Sequence, residues 1–345
     1  MNPQKHHSNS PLQKRVLFSA NAGGTIEVAD LSRFNIQVDL SHRSLEAGVS
    51  RRRRLANAIC DSWRVTHASR NYDTVVVSSA ALESFVTALL WVAINPLRRL
   101  LRGNRANLVI LDPILIRRTK LDFLFAFGIR RVASILYIRS GDLTTLVNRF
   151  HVDPARCQHV LMLAPNLDPQ TVPEMRMNEV QQPYIYCAGE SHRDWQLIIE
   201  CLQLVDHTCI VATSKIDPRL TPIPEHVILM PAIEPATGHS IMRGAAMLLD
   251  VFLDTDRSCG PSVIVDALAM GLPVVTTDTN ASRDYVVHGV TGLLSPPGDA
   301  LQLAGNIKSI LDDPGLREKM GNSARAFAAT DLSRSTFESK LASIL

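Results

Sequence analysis

The sequence contains few cysteines, and none of them stands at the spacing of a metal or redox motif. Its six cysteines are scattered over 345 residues and never form a C-x-x-C pair. A zinc site or a thiol redox centre built on them is therefore not expected. Such scatter is typical of small buried apolar cysteines in a reducing compartment.

The chain also lacks an apolar run long enough to cross a bilayer. Its longest such stretch, Phe85–Ile94, falls well short of the roughly 20 residues that a spanning helix needs. Residues 1–12 are polar and rich in His, Ser and Pro. They lack the charged start and apolar centre of a secretory leader. We expect residues 1–12 to be disordered and the protein to be cytoplasmic.

A third absence concerns the glycine pattern of dinucleotide-binding proteins. The first predicted strand, Val16–Ser19, leads into Ala20–Gly24, which reads Ala-Asn-Ala-Gly-Gly rather than G-x-G-x-x-G. A nicotinamide-dependent oxidoreductase therefore remains only an alternative, which NAD binding would support. We predict that Gly23 and Gly24, at the end of this strand, contact the acceptor or a phosphate.

Positive and negative charges are divided unevenly along the chain. Residues 1–178 hold 24 Lys+Arg against 13 Asp+Glu, whereas residues 179–345 hold 12 against 20. This imbalance is informative about partners and says little about fold. Beside the run Phe85–Ile94, the cations of the first half indicate either a contact with anionic lipid or a buried helix with a solvated charged face. A nucleic-acid partner, suggested only by Arg51–Arg54, is not expected. The other cations of this face are Arg98, Arg99, Arg102, Arg105, Arg117, Arg118 and Lys120.

Hydrophobic periodicity predicts an α/β protein in which strands and helices alternate twice. Such alternation indicates two doubly wound parallel sheets, each resembling a Rossmann domain and facing a cleft where ligands bind. In the second half we place a helix near Ile241–Leu248 and a strand at Leu249–Leu253. The predicted divisions are a first domain at 13–170, a linker at 171–182, a second domain at 183–330, and a C-terminal helix at 331–345 that packs back on the first domain.

The segment Asp254–Thr277 carries the strongest chemical signal. A strand ends, a loop turns through Gly260 and Pro261, and a helix begins at Ser262. The unpaired amides and the positive dipole end of such a helix form a site for a phosphate. Gly260 allows the backbone to approach an anion closely. Asp266, one turn into the helix, can accept hydrogen bonds from sugar hydroxyls.

This segment, together with Asp284–Asp299, resembles the retaining GT-B glycosyltransferases of family four. Their pattern is an acidic residue, seven others, then Glu-Ala-x-Ala-x-Gly-x-Pro-Val-Val, and later D-G-x-T-G-x-L-x-x-P-G-D. The resemblance is clear over residues 184–328. It implies transfer of a sugar from a UDP- or GDP-linked donor to a sugar or lipid-linked acceptor, with retention of configuration and no cofactor. It also implies a role in cell-surface polysaccharide synthesis.

The resemblance assigns roles to particular residues. It implies that Asp266 binds the ribose of the donor and that the loop before the helix binds the diphosphate. Arg193, after the first strand of the second domain, is the candidate for stabilising the departing diphosphate. The full set expected to bind the donor is Gly189, Ser191, Ser258, Cys259, Gly260, Ser262, Val263 and Asp266.

The sequence departs from the family pattern at two positions. Ser258 replaces the first acidic residue, and Asp266 is a shortened form of the second. The alternative is therefore a catalytically degenerate relative that serves as a partner subunit. On the acceptor side, Asp112 occupies a loop where family members often carry a catalytic His, and we predict that it is a base or orienting group. Asp254–Asp256 matches a metal-binding D-x-D triplet, but no metal is expected in a GT-B context.

Overall fold

The computed structural model describes residues 13–21, 31–43, 51–78, 86–93, 106–113, 120, 122–175, 180, 183–219, 221–255 and 259–345. These residues fall into two compact units. Described residues up to 113, with 120–135 and 338–345, belong to the first unit, and residues in the range 136–337 belong to the second. Within the first unit, Arg33 forms an ion pair with Glu338 of the C-terminal helix at 3.3 Å. The domain boundaries drawn from the sequence, including the linker at 171–182, stay predictions.

The first sheet has six strands in the order β2-β1-β3-β4-β5-β6. Strands β1–β2, β1–β3 and β3–β4 pair in parallel. The central strand Thr74–Ser78 is β-branched and almost fully buried, as expected for a parallel strand covered on both faces. The strands are β1 (Lys14–Asn21), β2 (Ile36–Arg43), β3 (Thr74–Ser78), β4 (Asn107–Leu111), β5 (Ser134–Tyr137) and β6 (Cys157–His159).

Helices of the first unit pack side by side. The hydroxyl groups of Ser62 in α1 and Thr87 in α2 are hydrogen bonded at 2.8 Å. A Cβ atom on Gly128 of α3 would lie 3.1 Å from the backbone nitrogen of Leu89 in α2. Helix α2 therefore lies between α1 and α3 in one layer. The helices before the second sheet are α1 (Arg51–Ala68), α2 (86–93), α3 (Asp122–Ile129) and α4 (Asp142–Phe150).

The second sheet also has six strands, in the order β12-β11-β10-β7-β8-β9, and every neighbouring pair is parallel. The chain moves from β7 toward β8 on one side and later returns to β10 on the other. This reversal is the kind of switch point beside which ligands bind in doubly wound sheets. The strands are β7 (Tyr184–Ala188), β8 (Cys209–Ala212), β9 (Val227–Met230), β10 (Ala245–Leu249), β11 (Val274–Thr277) and β12 (Gly292–Ser295).

Alternate side chains of β7 enter different cores on the two faces of this sheet. Tyr184 and Tyr186 pack with residues of α6, α7 and α9, whereas Ile185 and Cys187 pack with residues of α5 and α8. The period of two follows from strand geometry. The helices are α5 (Trp195–Leu202), α6 (Pro235–Met242), α7 (Ser262–Met270), α8 (Ala300–Asp312), α9 (Pro314–Thr330) and α10 (Arg334–Ile344).

The prediction of two parallel α/β sheets is confirmed, but two elements were misplaced. The helix expected near Ile241–Leu248 is α6, which ends at Met242, and the strand expected at Leu249–Leu253 is β10, which covers Ala245–Leu249. The run Ala-Ala-Met-Leu-Leu has high helix propensity. Pairing with β7 and β11 overrides that propensity in the folded chain. Strand β12 was not predicted at all.

Among the described residues, no helix combines the length and the apolar content that crossing a membrane requires.

Helix α9 packs against the end of α7 through a glycine, and this contact can be tested. A Cβ atom on Gly321 would lie 2.4 Å from the carbonyl oxygen of Gly271, so Gly321→Ala should destabilise the protein by about 1–3 kcal/mol. Gly305 in α8 has open space where its Cβ would be. Gly305→Ala should therefore stabilise the protein by about 0.5–1 kcal/mol. Urea unfolding of both variants measures the contrast, and equal midpoints would contradict the packing described.

Candidate functional site

Helix α7 presents an open N-terminal end. Pro261 precedes Ser262, and a proline has no side-chain group that could cap the first amides. A Cβ atom on the exposed Gly260 would meet no atom of the described residues within 4 Å. Ser262, Val263 and Asp266 are half-buried along one side of the helix, whereas their neighbours are buried. Four residues predicted to bind the donor therefore lie together here, beside amides that can bind an anion.

A buried ion pair supports the loop after β7. Arg193 donates to both carboxylate oxygens of Asp250, at 2.6 and 2.9 Å, and the two side chains are 3% and 0% exposed. Burial raises the pKa of the Asp250 carboxyl, and the Arg193 guanidinium opposes that rise. The guanidinium also stacks over Phe252 at 4.3 Å. Sequence reasoning assigned Arg193 to the departing diphosphate; the structure shows its guanidinium engaged within the protein, and the assigned role stays a prediction.

Gly189 is required for this arrangement. Its φ of +133° lies in a region that side chains other than glycine rarely adopt. A Cβ atom there would also lie 2.6 Å from Nε of Arg193. Arg193 Nη1 in turn donates to the carbonyl oxygen of Ser191 at 2.9 Å. Gly189 and Ser191, both predicted to bind the donor, thus lie on a loop whose shape depends on Arg193.

Two buried arginines hold Cys259, the residue that precedes Gly260. Arg193 Nη1 lies 3.5 Å from its sulfur, and Arg139 Nη1 donates to its carbonyl oxygen at 3.2 Å. Arg139 is itself paired with Asp142 at 2.7 Å, with both side chains fully buried. Burial raises the pKa of the Cys259 thiol to about 11, so it remains protonated and donates to the carbonyl oxygen of Ser191 at 3.3 Å. Sequence reasoning missed Arg139, because nothing in the spacing pairs it with a loop 120 residues away.

The second sequence block of the predicted family also contacts the segment that contains Arg139. Asp284 accepts a hydrogen bond from the amide of Ser140 at 2.5 Å, and Asn280, which lies just before this block, accepts one from the amide of Gly141 at 2.8 Å. The hydroxyl of Tyr285 donates to the carbonyl oxygen of Ile138 at 2.7 Å. Residues 138–141 are therefore fixed to both sequence blocks.

Asp266, predicted to bind the ribose, has a partner that the sequence did not reveal. Its Oδ2 lies 3.0 Å from Nε2 of His239 in α6. The two side chains remain 21% and 15% exposed. No motif or spacing marks His239, because its partner lies on a different helix. The contact depends on the packing of α6 against α7.

Of the remaining predicted residues, only Asp112 lies in the described part of the chain. Asp112 follows β4 with a positive φ of +50°, a conformation that Asp tolerates better than most residues; its acceptor-side role stays a prediction. Gly23, Gly24 and Ser258 lie outside the described residues. Asp256 of the D-x-D triplet does too, so the expectation of a metal-independent site stays a prediction.

The Arg193–Asp250 pair can be tested by removing one partner. Arg193→Met leaves Asp250 buried without its counter-charge, which should cost about 3–5 kcal/mol of folding stability. The double variant Arg193→Met/Asp250→Leu should recover most of this loss. Urea unfolding followed by circular dichroism measures both variants.

Arg219 provides the matched control, because it also bonds both oxygens of an aspartate, Asp217, at 2.9 and 2.8 Å, but is 86% exposed. Arg219→Met should leave the urea midpoint unchanged, since exposed ion pairs contribute little. A similar loss in both single variants would show that burial does not determine the strength of the Arg193 contact.

Part of the second unit matches a known protein family. Residues 250–327 match the model of the family described as Glycosyl transferases group 1. An alpha-D-kanosaminyltransferase from Streptomyces kanamyceticus is 34% identical over 82 residues, which cover 24% of this chain and 21% of that protein. The capsular polysaccharide biosynthesis glycosyltransferase CapM from Staphylococcus aureus is 35% identical over 78 residues, covering 22% and 20%. The chain thus spans about a fifth of the length of these relatives.

Solved structures extend the likeness to nearly the whole chain. A glycosyltransferase from Rickettsia africae ESF-5 has a TM-score of 0.69 at 14% identity, with 96% of this chain and 98% of that chain covered. Anabaena Alr3699/HepE in complex with UDP has a TM-score of 0.67 at 12% identity, with the same coverage. At such identities the likeness concerns the fold, and the predicted GT-B class is confirmed. The chain therefore has the GT-B fold, and its residues 250–327 are similar to the family described as Glycosyl transferases group 1.

Proposed function

We propose that this protein is a glycosyltransferase that moves a sugar from a nucleoside-diphosphate donor to an acceptor hydroxyl. The observation that carries the proposal is the open end of α7, with Gly260, Ser262, Val263 and Asp266 on one accessible side. This helix lies inside the segment that matches the family. UDP in the complex of the structurally similar HepE supports a uridine nucleotide as the first donor to test.

The proposed chemistry relies on stabilising the charge that develops on the leaving diphosphate. As the bond between sugar and diphosphate breaks, negative charge accumulates on the phosphate oxygens. We place these oxygens at the amides of Ser262 and Val263, where the helix dipole favours an anion. Arg139 and Arg193 hold Cys259 from two sides, which fixes the residue that leads into Gly260. This arrangement needs no metal, and we propose metal-independent transfer with retention of configuration.

The acceptor is proposed to be a sugar or a lipid-linked glycan. CapM, which is 35% identical over 78 residues, functions in capsular polysaccharide biosynthesis, which supports a role in cell-surface polysaccharide synthesis. Asp112, at the end of β4 in the first unit, is proposed to orient the acceptor hydroxyl or accept its proton. The alternative is a degenerate relative that binds nucleotide without transferring sugar, since Ser258 replaces an acidic residue of the family pattern.

Nucleotide binding and transfer distinguish these alternatives. Thermal-shift measurements with UDP, GDP, ADP and NAD should show stabilisation by one nucleoside diphosphate, about 2.7 kcal/mol at 100 times its Kd. Release of that nucleotide from its sugar conjugate, in the presence of acceptor glycans, then measures transfer. Nucleotide binding without hydrolysis or transfer would support the degenerate relative. Stabilisation by NAD alone would support an oxidoreductase and contradict the proposal.

A charge placed at the end of α7 tests where the diphosphate binds. A carboxylate in the first turn favours the helix, so Ser262→Asp should fold with an unchanged or higher Tm. The same carboxylate repels a diphosphate, and affinity for the nucleotide should fall by about tenfold or more. Ala300→Asp adds the same charge at the first residue of α8 and should leave the affinity unchanged. Equal affinities for the two variants, measured by calorimetry, would exclude this phosphate site.

We infer that the layer formed by α1, α2 and α3 contacts an anionic membrane surface. Among the described residues of its helices, five large apolar side chains are exposed: Ile59 (45%), Trp63 (53%), Phe123 (66%), Leu124 (38%) and Phe127 (42%). Residues 51–135 hold 15 Lys+Arg against 5 Asp+Glu. Arg131 stacks on Phe127 at 3.8 Å, so charge and apolar surface are combined locally. Exposed aromatic side chains, together with the excess of cations in residues 51–135, match an anionic bilayer.

Vesicle flotation tests this contact. The protein should float with vesicles of phosphatidylglycerol and phosphatidylcholine but not with phosphatidylcholine alone, and high salt should release it. The double variant Phe123→Ser/Phe127→Ser should lose flotation, whereas Leu301→Ser, which changes a 75% exposed leucine of the second unit, should keep it. Salt-insensitive flotation, or none, would contradict the inference. Because all six cysteines are free, we place the contact on the inner, reducing side of the membrane.

A further inference from the structure

His239 and Asp266 form a pair between the second turns of two neighbouring helices. Nε2 of His239 lies 3.0 Å from Oδ2 of Asp266. A carboxylate oxygen can only accept a hydrogen bond, so Nε2 must carry the hydrogen. Because the acceptor is a carboxylate, the hydrogen bond is charge-assisted. It is therefore stronger and better oriented than a hydrogen bond between neutral groups. Its members come from α6 and α7, whose first residues lie at the same edge of the sheet.

Space around the pair distinguishes it from a sealed structural contact. Both side chains keep some exposure, 15% for His239 and 21% for Asp266. A cavity of about 300 Å³ lies between α6 and residues 172–175, and His239 forms part of its wall. Such a volume is at the lower end of the range for ligand pockets. Asp266 does not line this cavity, and its own 21% exposure is what makes it accessible to a ligand.

The hydrogen bond leaves one oxygen of Asp266 available. Within the described part of the chain, the side chain of Asp266 is hydrogen bonded only through Oδ2, to His239. Oδ1 can therefore accept from a ligand hydroxyl. An unsupported aspartate on a helix rotates about its side-chain bonds and loses that freedom when it binds. His239 fixes the carboxylate before the ligand arrives, which lowers the entropic cost of binding.

We propose that His239 is a positioning residue for Asp266, the residue already predicted to bind the donor ribose, and that this contact sets the selectivity for a ribose hydroxyl. The inference rests on the proposed function, because it needs a nucleoside diphosphate at α7. It adds that His239, on another helix, sets the affinity and the ribose selectivity. Because the ribose lies away from the reacting bond, the pair should affect donor binding and leave the chemical step unchanged.

Binding of ribose and deoxyribose nucleotides provides the test. UDP and GDP, with their 2′-deoxy and 3′-deoxy forms, are titrated by calorimetry into the full chain and its variants. The wild-type protein should bind the preferred nucleotide about tenfold more tightly than at least one of its deoxy forms, equal to about 1.4 kcal/mol. In His239→Phe this discrimination should vanish, the KM for the sugar nucleotide should rise about tenfold, and kcat should change less than about twofold.

Three variants make the test specific. His239→Gln retains an N–H donor at similar reach and should discriminate between ribose and deoxyribose nucleotides as the wild type does. A purely steric role of His239 does not predict this result. Asp266→Asn should lose discrimination as His239→Phe does. His226→Phe, which changes another half-buried histidine of the same unit, bonded to the Leu202 carbonyl at 3.0 Å, should behave as wild type.

The outcomes separate the two proposals. If the wild-type protein binds no nucleoside diphosphate, the proposed function fails and the inference fails with it. If it binds one and His239→Phe keeps the same affinity and the same deoxy discrimination, the function stands and His239 has no positioning role. If the His239→Gln variant binds ribose and deoxyribose nucleotides equally although its Tm matches the wild type, the hydrogen bond to Asp266 is not the cause of the discrimination.

Discussion

The buried pair between Arg193 and Asp250 is the interaction on which the candidate site depends. Asp250 follows β10 directly, and Arg193 follows β7, so the pair joins two neighbouring strands at their carboxyl ends. A charged group that leaves water loses several kcal/mol of hydration, and only a well-placed partner offsets this cost. The two hydrogen bonds to Asp250 provide that partner. The same guanidinium also contacts the carbonyl oxygen of Ser191 and the sulfur of Cys259. The pair therefore fixes the positions of these two residues as well.

Arg139 repeats the same principle from a different part of the chain. Its pairing with Asp142 is local, three residues apart, yet its remaining donor reaches the carbonyl oxygen of Cys259. A backbone carbonyl held by a buried guanidinium has little freedom to rotate. The amides that follow it are therefore presented in a fixed direction. Preorganised dipoles are effective because they do not have to reorient when charge develops.

Much of the fold was predictable from sequence, for reasons visible in particular elements. Thr74–Ser78 and Tyr184–Ala188 are short apolar runs that parallel sheets bury, and the structure places strands there. Helix α7 begins at the predicted Ser262, directly after Pro261, and Gly271 ends it with a φ of +74°. The strand β10 was misplaced because Ala245–Leu249 has the composition of a helix, and only its neighbours in the sheet determine its state.

The site was predictable in part. Ser262, Val263 and Asp266 lie along one accessible side of α7 because they are close in sequence on one helix. Arg139 and His239 escaped detection because their partners are distant in sequence, and a single sequence carries no signal of long-range pairing. For Arg193 the position was singled out, but sequence could not show that Asp250 engages it.

Gly189 has a consequence for how this loop can evolve. Any side chain there collides with the Arg193 guanidinium, and replacing the arginine alone leaves the buried carboxylate of Asp250 without a counter-charge. A substitution at only one of the positions 189, 193 and 250 is therefore unfavourable. Homologous chains should exchange all three as a set, and an alignment of them should show correlated substitution at 189, 193 and 250 even though the positions are separated by as many as 61 residues in the sequence.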